Sequence, residues 1–222
     1  MAPHDARALE VALRLGGKTV AIHVGDPQNP ALRDYLGMGL PVLTVLGPAG
    51  AGANVLPCLL SFLEERRPRL ILFGMQSECG EASGMLPYLV AAKLGLPMVA
   101  DVASVGIAAD EALLSQALPG GRRRRLAVAL PAILTIGLAG PKPRQSAFAR
   151  SRRGRIDLIP AQAAPDSEQL GWTERPARTR PRKLRQASAG EAGSQAALTG
   201  LSPREAAETL HRFLVERGVV GP

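Results

Sequence analysis

Between Asp5 and Leu15 the apolar residues Ala8, Leu9, Ala12, Leu13 and Leu15 recur at close to helical spacing, and Gly16-Gly17 stops the run. One amphipathic helix is predicted there. Thr19-Val20-Ala21-Ile22-His23-Val24 is β-branched and mostly apolar, the pattern of a strand buried on both faces, and Gly25-Asp26-Pro27 terminates it. Residues 30–39 suit a short helix. Pro41 to Leu46 reads as a second buried strand closed by Gly47-Pro48, Asn54 to Arg66 as a helix, and Leu70-Ile71-Leu72-Phe73-Gly74 as a third strand. A helix from Met85 to Leu94 follows. Strands alternating with helices require parallel crossovers, so the pattern predicts a doubly wound, mostly parallel α/β sheet.

After Pro97 the texture changes. Leu113 to Gln116 and Arg125 to Ile136 flank Pro119-Gly120-Gly121, a turn signal, which predicts an antiparallel excursion returning to the sheet at Ile133-Leu134-Thr135-Ile136. Residues 160–200 are rich in Ala, Pro, Gln, Ser, Gly and Arg, with few large apolar residues to bury, and read as an extended arm. Beyond it, Ser202-Pro203-Arg204-Glu205 supplies an N-cap, a proline at the first helical position and an acid in the first turn. A helix to about Arg217 follows, ended by Gly218. The division predicted is a nucleotide-binding α/β domain over 1–160 and a C-terminal arm and helix over 161–222.

Composition narrows the function classes. No window holds the ~20 apolar residues of a membrane span, and the start lacks a secretory pattern, so a soluble, cytoplasmic protein without membrane insertion is expected. Cys58 and Cys79 stand apart without clustered histidines, which predicts reduced bystanders rather than a disulfide or a metal site. The net charge of +8 comes almost entirely from arginine. It invites a nucleic-acid partner through phosphate neutralisation, and equally an acidic protein partner. Aromatic residues make up 3% of the chain, leaving few platforms for base stacking, so no nucleic-acid partner is expected. The run Arg122 to Arg125 reads as a solvated turn.

The stretch richest in candidate chemistry is Gly74-Met75-Gln76-Ser77-Glu78-Cys79-Gly80-Glu81-Ala82-Ser83-Gly84-Met85, a polar, glycine-bearing loop between a buried strand and a helix. Ligands of open α/β sheets bind at the carboxyl ends of strands, and amides at the next helix's N-terminus favour a phosphate. Ser83 or Gly84 is placed to cap that helix, with Pro87 in its first turn. Glu81 opposes an adjacent anion and suits a ribose hydroxyl. An ordinary βα loop has the same pattern, because glycine loops without a fingerprint are weak signals. His4, His23 and His211 are scattered and no nucleophile signature occurs, so no catalytic residues and no metal ligands are assigned; His23 reads as a structural strand residue.

These residues resemble the electron-transfer flavoprotein β-subunit family, whose fold is of the adenine-nucleotide α-hydrolase-like type. Ala2-Pro3-His4-Asp5 is similar to its N-P-x-D motif, and Gly74-Met75-Gln76 to its strand ending in G-x-Q. Gly120-Gly121 with Leu130-Pro131-Ala132-Ile133-Leu134-Thr135 is similar to its E-G-G … L-P-A-V-x-T hairpin. Pro143-Arg144 opens a segment like its P-R-Y recognition segment, which ends in the basic run Arg150 to Arg155. The likeness runs from residue 2 to 160. This chain departs from the pattern at Ala2, where the motif has asparagine, at Cys79, where the nucleotide loop has aspartate, in a shorter recognition segment without the usual tyrosine and leucine, and in beginning after the family's first strand.

The resemblance implies an electron carrier rather than an enzyme: a heterodimer in which the α subunit holds most of an FAD and the β subunit buries an AMP. Electrons would pass from a flavin dehydrogenase toward a quinone oxidoreductase. AMP contacts are expected from Ala2, Pro3, His4, Asp5, Val24, Gly74, Met75, Gln76, Ser77, Glu81, Ala82, Ser83, Gly84 and Met85. The dehydrogenase-facing segment is expected at Arg144, Gln145, Ser146, Ala147, Phe148, Ala149, Arg150, Ser151 and Arg152, with Phe148 as an apolar anchor. The altered segment suggests a donor that oxidises methylated amines, and the arm after residue 160 would wrap the α subunit. The alternative class, a nucleotide-binding regulatory protein of the stress type, shares the sheet and the loop after Gly74 but lacks the recognition segment and arm.

Overall fold

The predicted alternation holds through the first hundred residues: α1 (Pro3–Leu15), β1 (Ala21–Val24), α2 (Ala31–Gly37), β2 (Val42–Gly47), α3 (Leu56–Arg66), β3 (Leu70–Gly74) and α4 (Leu86–Leu94). β4 (Met98–Ala108), β5 (Glu111–Ala117), β6 (Arg123–Ala129), β7 (Ala132–Ile136), α5 (Phe148–Arg153) and β8 (Arg155–Pro160) follow. The computed structural model describes residues 1–47, 54–77, 82–161 and 200–219. Local chemistry sets several boundaries. α1, α3 and α4 each carry proline in their first two positions, where its missing N–H has no intrahelical partner to lose. α3 and α4 end on left-handed residues, Arg67 and Gly95.

The strands form two ladders, β1-β2-β8 and β3-β7-β4-β5-β6. The first is parallel throughout, and β3, β7 and the start of β4 are parallel to one another. β5 and β6 extend the second ladder as an antiparallel meander. β7 is buried at all five residues, apolar except for Thr135, as expected of a strand covered on both faces.

Helices cover both faces across the break between the ladders. On one face, α1 sets Ala6 and Leu9 against Leu43 and Val45 of β2, and Ala8 and Val11 against Leu134 and Ile136 of β7. On the other, Leu59 and Leu63 of α3 join Ile71 and Ile133, with Ile22, Val24 and Phe73 packed against them. Burying each such aliphatic side chain stabilises the fold by roughly 1.5–3 kcal/mol. Among the described residues, β1 pairs only with β2 and β3 only with β7, so both present an open edge at this seam. The sequence predicts one continuous sheet with β1 and β3 fully buried; instead the ladder is interrupted here, and beside the open edges β1 is half-buried throughout and β3 buries only Ile71.

The hairpin region differs from its expectation in extent. β4 is an eleven-residue strand where composition marked only a change of texture. Its small and polar residues Ala100, Asp101, Ala103 and Ser104 mask the apolar run. Register shifts between Val99 and Val102, and again between Val102 and Ser104, let it leave β7 and turn onto β5. The stretch Arg125 to Ile136 is two strands, split at Leu130-Pro131, since proline cannot continue a ladder. Residues 148–153 form a short helix and 155–160 a strand on β2, neither of which periodicity signalled.

The chain falls into two compact units, Met1–Glu174 and Arg175–Pro222. In the second unit the described element is α6 (Pro203–Glu216), which opens with the predicted cap. Ser202 Oγ accepts from the Glu205 amide, and the Glu205 carboxylate accepts from the Ser202 amide at 2.9 Å. The arm expected over 160–200 lies, beyond Ala161, outside the described residues.

Candidate functional site

The carboxyl end of β3 meets the first turn of α1. Gly74 abuts Asp5 so closely that a Cβ there would collide with the Asp5 carboxylate and lie 2.8 Å from its amide nitrogen. Only glycine permits that approach. Ala2 is the N-cap of α1 and makes no side-chain cap; its amide donates to Tyr35 Oη at 3.1 Å. Pro3 and His4 continue the turn. His4 Nδ1 is buried and finds no hydrogen-bond partner among the described residues. An orphaned polar atom beside an uncapped helix start invites a polar ligand.

The two described arms of the predicted loop close on each other. Gln76 Nε2 donates to the Ala82 carbonyl at 2.6 Å, and Ser83 Oγ accepts from the Met85 amide at 3.3 Å. Gly84, at φ +68°, sits against the Met75 carbonyl with no room for a Cβ. The helix N-cap is Met85, so Ser83 forms a turn ahead of α4 instead of capping it, while Pro87 stands in the first turn as expected. Met75 is anchored to β7 through its amide and the Ile136 carbonyl. Ser77 ends the first described arm, and Glu81 lies outside the described residues.

Met75, Gln76, Ser83, Gly84, Tyr88 and Thr135 line a cavity of about 270 Å³. Tyr88 and Thr135 are site residues that the sequence left unmarked. Thr135 is buried, and its Oγ1 accepts from the amide of Asp101, a left-handed residue at φ +52°. Tyr88 sits half-exposed on α4. Its signal was scarcity: the chain has two tyrosines, one bonded to the Ala2 amide and the other at this cavity. Val24, expected at the site, ends β1 with its side chain in the α3–α4 core. His23 lies in β1 against Gly25, and burial holds its imidazole below the ordinary value.

The second predicted cluster, residues 144–152, is held by two helices. Arg144 faces inward to Glu10 of α1, an acid buried in the helix face and unmarked by the sequence reading. The Ala147 amide donates to the Gly37 carbonyl at 3.0 Å, and Ser146 fills the space where Gly37 lacks a Cβ. Arg33 of α2 reaches the carbonyls of Ser151 and Gly154. From this support Phe148 projects at 77% exposure, with the Arg152 guanidinium over its ring at 5.8 Å. Gln145, Ala149 and Arg150 are exposed beside it.

The electron transfer flavoprotein domain family matches residues 1–164, a span that contains both clusters. The chain belongs to the electron transfer flavoprotein family. It is 39% identical over 238 aligned residues to the electron transfer flavoprotein subunit beta of Chromohalobacter salexigens, across 99% of this chain and 88% of the relative. Membership as a β subunit implies an α-subunit partner, an electron-transfer role and association with flavin. No helix among the described residues is long and apolar enough to cross a membrane.

Proposed function

We propose that the chain is the β subunit of a heterodimeric electron carrier that takes electrons from a flavin dehydrogenase and passes them to a quinone oxidoreductase in the cytoplasm. The observation that carries this reading is the coincidence of the family match with the two constructed clusters. One is a nucleotide-sized crevice at the carboxyl end of β3; the other is an exposed aromatic on a supported basic segment. FAD, held mainly by the α subunit, supplies the one- and two-electron chemistry.

The crevice of this chain suits AMP. Its volume of about 270 Å³ lies just below the ~300–1,000 Å³ usual for ligand pockets, which favours a mononucleotide over a second dinucleotide. The Gln76, Ser83 and Thr135 side chains provide polar partners in the crevice and Tyr88 with Met75 an apolar surface for a base, while the unsatisfied His4 Nδ1 and the uncapped start of α1 stand next to Gly74 at the end of β3. Phe148 and the arginines around it form the donor-facing surface, and residues 161–222 wrap the α subunit.

Co-expression with an α subunit and purification through a tag on this chain tests the reading. A yellow one-to-one complex releasing FAD and AMP is expected. Two flavins per dimer would replace AMP by a second cofactor. A colourless monomer that still binds nucleotide would overturn the carrier reading in favour of a nucleotide-binding regulator.

A further inference from the structure

α5 is six residues long and buries none of them. A helix that short does not hold its own geometry. Its placement is therefore inherited from what fixes the chain on either side. Downstream, Gly154 packs on Leu36 and β8 pairs with β2. Upstream, the chain is held at two points, by Gly37 of α2 at Ala147 and by Glu10 of α1 at Arg144.

Among the described residues, the Glu10 carboxylate takes its hydrogen bonds from two arginines, Arg144 and Arg14. Oε2 accepts from the Arg144 amide at 3.1 Å and from Arg144 Nε at 2.8 Å; Oε1 accepts from Arg144 Nη2 at 3.3 Å and from Arg14 Nε at 2.7 Å. The Glu10 side chain is 4% exposed. A buried, fork-bonded carboxylate of this kind fixes direction as well as distance, because the guanidinium is planar and the backbone amide shares the same oxygen. Arg7, on the same helix, donates to the Gly140 carbonyl at 2.6 Å and steadies the approach. Three residues after Arg144, the Ala147 amide is bound to Gly37, and Phe148 follows at once.

We propose that Glu10 is a positioning residue for the partner-facing segment: its buried carboxylate fixes the main chain at Arg144 and thereby the placement of Phe148 and of the arginines after it. The proposal rests on the reading of residues 144–152 as the donor-facing surface. It makes α1 the common support of both clusters, since Asp5 abuts Gly74 at its first turn and Glu10 holds Arg144 further along.

The test uses the full chain as wild type, Glu10→Gln, Arg144→Lys and Phe148→Ala, each digested briefly with trypsin under native conditions and read by mass spectrometry. Cleavage after Arg150, Arg152 and Arg153 reports the segment; cleavage after Arg123 to Arg125 on β6 is the internal reference. Proteolysis of a segment that opens and recloses quickly follows its open population. Glu10→Gln is expected to speed cleavage at 150–153 by about tenfold, with the reference within about twofold. Arg144→Lys, which keeps the charge but not the fork, is expected to fall between and carries the test if Glu10→Gln does not fold; Phe148→Ala should move neither region. A parallel rise at both regions, or none at either, would overturn the positioning role. In the complex with the α subunit, Glu10→Gln and Phe148→Ala should each raise the KM for a methylamine-oxidising flavin dehydrogenase with little change in kcat. An unmoved KM in Phe148→Ala, beside an intact tryptic effect, would refute the donor-facing reading and leave Glu10's structural hold standing.

Discussion

Gly74→Ala is the most direct probe of the crevice. The added methyl would meet the Asp5 carboxylate and lie 2.8 Å from the Asp5 amide nitrogen and 3.0 Å from the His4 carbonyl carbon, where ordinary contacts run 3.4–4 Å. The first turn of α1 would have to retreat by roughly half an ångström, and it has little freedom to do so, because Ala6, Leu9 and Val11 are buried just beyond. Overpacking of this kind costs about 1–3 kcal/mol, a sizeable part of the ~5–15 kcal/mol that separates folded from unfolded domains. The displaced helix start should also weaken AMP binding by about tenfold, since amide-to-anion geometry is set by that turn. Urea unfolding at pH 7 and calorimetric titration of nucleotide into the complex measure the two effects. Gly106→Ala is the control: there the nearest atom to a new Cβ is the Leu113 carbonyl oxygen at 3.9 Å, and a change within about 0.5 kcal/mol is expected. If Gly74→Ala unfolds like wild type and binds AMP normally, the contact does not shape the site.

Two further outcomes follow from the same geometry. Hydrogen bonding from Arg144, aided by Arg14 and opposed by desolvation, lowers the Glu10 carboxyl from 4.5 to about 2. A depressed acid value stabilises the fold above the unfolded-state value and loses that contribution as the pH falls from about 4.5 toward 2. At ~1.4 kcal/mol per unit the contribution is about 3 kcal/mol at pH 7 and about half that at pH 3. The gap in urea stability between wild type and Glu10→Gln should narrow accordingly; a gap of constant size from pH 7 to pH 3 would rule out the ion pair as its source. The open edges of β1 and β3 predict faster exchange of their outward amides than of those in β2 and β7, by about tenfold or more. Hydrogen-exchange mass spectrometry reads this directly, and equal protection across all four strands would show the seam to be closed in solution.

Much of this protein was legible in one dimension because burial leaves its mark residue by residue. The apolar runs at 42–46, 70–74 and 133–136 foretold strands covered on both faces, and Ser202-Pro203-Arg204-Glu205 foretold a helix start whose bonds are all local. The glycines at 74 and 84 marked where backbones meet, although which backbones was not stated by either residue. Tertiary structure alone decided the rest. The two-ladder break depends on which strand edges find partners, a property of neighbours rather than of composition. The path of β4 depends on a bulge at Asp101 that is supported by the hydrogen bond its amide donates to Thr135 Oγ1, 34 residues away. Glu10 reads in sequence as an ordinary helical acid four residues from an arginine; its stronger partner, Arg144, stands 134 residues off. Side-chain periodicity records whether a position is wet or dry, whereas a hydrogen bond or an ion pair is a relation between two positions, and no local pattern carries the second coordinate.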